Sequence, residues 1–185
     1  MTAAHVAHGL DDIAFGVRLN KKHDDRGQID RLANVSWHYH PDPTVDVAVL
    51  PYEIPEWANA EPFRKWFATE FKRKTKDFGS GDLVYIVGVY KFLYGKKRNM
   101  PAVHVGHIAA MADGEEIITK DWRAVDPDKA PPISIYGHLI QAPTLPASSG
   151  SPVFVRRTIN TVMVTEKERL VTGVYGSVWL LGLWH

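Results

Sequence analysis

The segment LPASSGSPVFV, Leu145 to Val155, joins a loop of Pro, Thr, Ala and Ser to a run of β-branched and aromatic residues. Gly150 tolerates the positive φ of a tight turn, and the serines around it can bond to nearby backbone. Two readings stand. The segment is a polar turn entering a strand, or it is a turn that presents a nucleophilic serine.

Outward from this turn, most of the chain reads as short strands broken by Gly, Pro, Asn and Asp. IAFGVRLN (Ile13 to Asn20) alternates after a turn. VDVAVLP (Val45 to Pro51), DLVYIVGVY (Asp82 to Tyr90), AVHVGHIAAM (Ala102 to Met111), SPVFV (Ser151 to Val155), NTVMVT (Asn160 to Thr165) and VTGVYGSVWLLGLW (Val171 to Trp184) are rich in strand formers. Short strands with no alternating helices predict an all-β, antiparallel sandwich or barrel. One segment breaks the pattern. In EPFRKWFATEFKRK, Phe63, Trp66, Phe67 and Phe71 recur at helical spacing behind Pro62, which predicts one short connecting helix with a core-facing aromatic stripe. The predicted division is therefore a first β unit over 1–55, a helical or loop connector over 56–78, and a second β unit over 79–185.

Composition narrows the function classes. The 185 residues suffice for one domain with a sizeable core or for two small packed units. A net charge of +1, from 22 basic and 21 acidic residues, gives no global field toward nucleic acid or an anionic membrane. The run KRKTK, Lys72 to Lys76, reads as a solvated face. No partner of either kind is expected, and the oligomeric state is open. Cysteine is absent, which excludes disulfides, thiolate zinc sites and cysteine nucleophiles. That absence fits a reducing compartment and favours a cytoplasmic location. The opening MTAAHVAHGLDD lacks the basic flank of a signal peptide, and no apolar run reaches the length of a membrane span.

Three segments carry residues suited to acyl transfer. TAAHV holds His5, HPDPTVDVAVL holds Asp46, and SSGSPVFV holds Ser149; the separations are 41 residues from 5 to 46 and 103 from 46 to 149. A serine hydroxyl is a weak nucleophile until a neutral imidazole takes its proton. A carboxylate accepting the other imidazole N–H fixes the tautomer and stabilises the imidazolium that forms. Backbone N–H groups in a tight turn can hold the oxyanion. Histidines elsewhere do not assemble a metal site on paper. His38 and His40 alternate on one strand, His104 and His107 lie three apart in another, and zinc needs three or four converging ligands.

These motifs resemble the trypsin-like, or chymotrypsin-fold, serine peptidases, most closely a cysteine-free bacterial branch. TAAH is similar to the stretch carrying that family's general base, HPDPTVDVAVL to its His-Pro and Asp-x-Ala-x-Leu stretch, and SSGSPVF to its nucleophile turn. The resemblance covers most of the chain and implies a double β-barrel. Gly81 to Ala109 would supply early strands of the second barrel, and WLLGLWH, Trp179 to His185, the strand lining the substrate cleft. It implies a serine endopeptidase with His5 as general base, Asp46 as its orienter and Ser149 as nucleophile, an oxyanion hole from the backbone N–H groups of Ala147 and Ser149, a peptide or protein substrate, and neither cofactor nor metal. His40 then belongs to the His-Pro step.

The chain departs from that family in two places. Ala147 stands where the family has glycine, and alanine takes left-handed backbone angles only at a cost of about 1–2 kcal/mol. His5 follows Met1 by four residues and the chain stops at His185, so relative to the family it is expected to be truncated at both ends. The departures keep open a second reading, an inactive module of the same fold that binds peptides or partner proteins. IQAPTLPAS, Ile140 to Ser148, would line the primary specificity pocket and holds no acid, which implies a small or apolar side chain there rather than Arg or Lys.

Overall fold

The computed structural model describes residues 1–42, 44–60, 67–68, 78–89, 95–112, 115–121, 124, 126, 128–143, 148–156, 161–162, 169–170 and 178–184. Among the described residues the regular elements are strands apart from one five-residue helix, α1 (Ala4–His8), and the chain is all-β as its strand-rich composition predicts. In order they are β1 (Phe15–Asn20), β2 (Gly27–Leu32), β3 (His38–Tyr39), β4 (Ala48–Val49), β5 (Leu83–Gly88), β6 (Ala102–Ala110), β7 (Ile117–Thr119), β8 (Ile133–Ile135), β9 (Leu139–Gln141), β10 (Pro152–Arg156), β11 (Thr161–Val162), β12 (Arg169–Leu170) and β13 (Val178–Leu183).

Every pair of these strands is antiparallel. The largest sheet runs β13-β10-β5-β6-β9, and no pairing between β13 and β9 closes it among the described residues. Among the described residues four two-stranded sheets accompany it: β1-β2, β3-β4, β7-β8 and β11-β12. The five-stranded sheet carries the core on one face. Val84 and Ile86 of β5 alternate inward, as do Val153 and Val155 of β10, and Phe78, Ile108 and Trp179 complete the buried cluster. Their cross-strand partners match, with Val153 opposite Ile86 and Val155 opposite Val84, so like packs beside like.

The predicted connecting helix is corrected where the structure describes it. Phe67 and Ala68 lie beside β13 instead of in a helical turn: Phe67 forms a parallel bridge with Leu180, and the Ala68 N–H donates to the Leu180 carbonyl at 2.8 Å. Phe67 is half exposed, so it does not continue a buried stripe. Aromatic residues favour strands as readily as they mark a helix face, and a free sheet edge supplies ladder partners that a short helix lacks. Phe63, Trp66 and Phe71 lie outside the described residues, as does most of NTVMVT and residues 171–177 of the last predicted strand.

The first and second stretches of strands are pinned together through the loop 95–99. The Arg18 guanidinium donates to the carbonyls of Gly95 and Lys96 at 2.9 and 3.0 Å, and the Gly27 N–H donates to the Lys97 carbonyl at 2.7 Å. Asn20 and Asn99 exchange bonds as well: the Asn99 N–H donates to Asn20 Oδ1 and Asn20 Nδ2 to the Asn99 carbonyl.

Candidate active site

His5 sits in the first turn of α1, which no sequence pattern announced. The helix is too short for a period to show, and Ala3 at its N-cap offers no side-chain acceptor. Tertiary contacts hold it instead. Before the helix, Thr2 pairs with Ala48 through two hydrogen bonds of 2.9 Å, one in each direction, and so lies alongside β4.

Asp46 reaches the same place from the other side. The loop before it is shaped by Asp42, whose carboxylate accepts from both the N–H and the hydroxyl of Thr44, at 2.9 and 2.7 Å. Those two bonds hold the Asp42 carboxyl below the usual carboxylate range. The His40 N–H then donates to the Val47 carbonyl, which extends the β3-β4 pairing and sets Asp46 just ahead of β4.

His5 and Asp46 meet there. Asp46 takes two bonds from His5, one per carboxylate oxygen: the backbone N–H donates to Oδ1 at 2.8 Å, and the imidazole Nδ1 lies 2.6 Å from Oδ2. The Asp46 side chain is nearly covered, at 11% exposure, whereas that of His5 is 40% exposed. A carboxylate on Nδ1 selects the tautomer whose Nε2 carries the lone pair. That is the form needed to take a proton from a hydroxyl.

Ser149 is half-buried in the turn before β10. The Ser151 N–H closes the turn onto the Ser148 carbonyl at 3.0 Å, and Gly150 and Ser151 clasp Trp184 by two bonds of 2.8 Å. Gly150 has φ +84°, and its α-carbon lies against the segment just before His5. A methyl group there would sit 2.5 Å from Thr2 Oγ1 and 3.1 Å from the Ala3 nitrogen. The serine turn therefore abuts the segment that leads into α1. Ser148, beside Ser149, is buried at 6% exposure.

Ala147, the other expected oxyanion donor, lies outside the described residues, and so does 144–147 of the expected specificity wall. Ile140 and Ala142 from the same stretch pack against the core. His38 is exposed on β3, while His104 and His107 fall on opposite faces of β6. Among the described residues no three such side chains converge as metal ligands, and no helix is long and apolar enough to cross a membrane. Sequence reasoning missed Thr2, which bridges β4 and the serine turn, and the cluster of His8, Asp11 and Tyr39 at the far end of α1. No family model matches the chain, and no curated protein or solved structure matches it significantly.

Proposed function

We propose that the chain is a serine endopeptidase of trypsin-like, double-barrel architecture that hydrolyses peptide bonds through an acyl-enzyme on Ser149. The observation that carries this reading is the pair of hydrogen bonds between His5 and Asp46 beside a serine-bearing turn. A histidine held by both its backbone and its Nδ1 is oriented before substrate arrives, which is what a general base requires. The packing of Gly150 on Thr2 and Ala3 supports Ser149 as its partner.

In the proposed cycle His5 Nε2 takes the Ser149 proton as Oγ attacks the scissile carbonyl. Asp46 stabilises the imidazolium so formed. His5 then gives that proton to the leaving amine, and water repeats the sequence to release the acid. The N–H groups of Ala147 and Ser149 are the proposed donors to the tetrahedral oxyanion.

Labelling with a fluorophosphonate tests the proposal, since only an activated serine reacts. The wild-type chain and Ser148→Ala should label, while Ser149→Ala should not and should keep its fold. Absence of label on a folded wild-type chain would favour the inactive, peptide-binding module.

A further inference from the structure

We propose that Tyr39 is a positioning residue for the His5–Asp46 pair, acting through His8 and Asp11 at the C-terminal end of α1. The Tyr39 hydroxyl lies 2.8 Å from both oxygens of the Asp11 carboxylate, to which it donates. Its ring stacks on the His8 imidazole, with centroids 4.2 Å apart and planes 9° from parallel. His8 Nδ1 in turn lies 3.2 Å from Asp11 Oδ2. Three side chains thus form one closed cluster, although His8 and Asp11 are well exposed at 62% and 40%. The cluster leaves its mark on both acids: the Tyr39 hydroxyl bond holds the Asp11 carboxyl low, and desolvation and Asp11 push the Tyr39 phenol up to about 12.

The backbone explains why this cluster bears on His5. Tyr39 pairs with Ala48, and Ala48 pairs on its other side with Thr2. One strand pair therefore grips α1 at both ends, by Thr2 before the helix and by Tyr39 after it. Asp46 stands two residues before Ala48, so both members of the pair are referenced to the same short sheet. A five-residue helix without a side-chain cap has little stability of its own, and its orientation must come from such anchors.

The positional claim stands on this geometry alone; only its kinetic arm rests on the peptidase reading. The test compares the full chain with Tyr39→Phe, which keeps the ring stack and removes the hydroxyl, and Asp11→Ala, which removes the acceptor. Tyr52→Phe is the matched control, because Tyr52 donates to Asp30 at 2.6 Å away from α1. The readout is solvent exchange of the His5 backbone amide by NMR, which reports its bond to Asp46. Exchange should quicken about tenfold in Tyr39→Phe and Asp11→Ala, the size of one lost bond to a charged acceptor. Tyr52→Phe should leave it unchanged. In peptide hydrolysis the first two should lower kcat with KM held. An unchanged His5 amide in Tyr39→Phe and Asp11→Ala, or an equal change in the control, overturns the proposal. Selective loosening of His5 in a chain whose Ser149 takes no label would leave Tyr39 its role and remove the peptidase reading.

Discussion

Asp46 uses both of its oxygens on one residue, and the consequences of changing it follow from that. Asp46→Asn keeps an acceptor for the His5 backbone but loses the charge that favours the imidazolium, and it can present an NH2 group to Nδ1. If the proposed mechanism holds, kcat should fall by roughly 10^4 with the circular dichroism unchanged, as for other triads that lose this charge. A fall of tenfold or less would mean His5 is not the base. Gly150 is the second sensitive position. Gly150→Ala adds a methyl group against Thr2 and Ala3 at a φ of +84°, and should cost about 2 kcal/mol or more in denaturant unfolding. A neutral substitution would show that the serine turn and the Thr2 segment do not touch in solution.

At the level of elements, legibility followed burial. β5, β6 and β10 are plain in the sequence because strand-forming residues line a core and alternate, as Val84, Ile86, Val153 and Val155 do. β2 and β7 are not, because each turns a large apolar residue to solvent: Ile29 is 61% exposed and Ile118 74%. A two-stranded ribbon gains its register from its partner, so its own sequence carries little period. α1 was hidden for the same reason, being fixed by Thr2 and Tyr39 rather than by its own residues. The residues of the candidate pair were legible through their chemical types, whereas their meeting depends on the β3-β4 sheet, which no local pattern specifies. The tyrosines that tie elements together allow a direct check. Desolvation and their carboxylate partners push Tyr39 and Tyr52 each up to about 12. Absorbance titration of the folded chain should therefore show phenols resisting ionisation beyond pH 10, of which one is lost in Tyr39→Phe and one in Tyr52→Phe. A raised phenol pKa contributes fully below about pH 10 and is lost as pH rises toward 12, so alkaline unfolding should begin in that window.

Across the whole molecule, the contact between positions 2–3 and 150 has no local support. Bonds such as those of the β1-β2 hairpin form between near neighbours, whereas this one must wait until long stretches of chain have been brought to hand. Assembly order follows. During refolding the amides of Val84 and Val155 in the large sheet should become protected first, and, if the proposed mechanism holds, reactivity of Ser149 toward a fluorophosphonate should lag behind them. Reactivity arriving together with that protection would show that the closure is not the last event. If the proposed mechanism holds, a chain that follows this order is chemically silent while it folds: its attacking group meets its base only at the final step, so an unfinished copy cannot cut its neighbours.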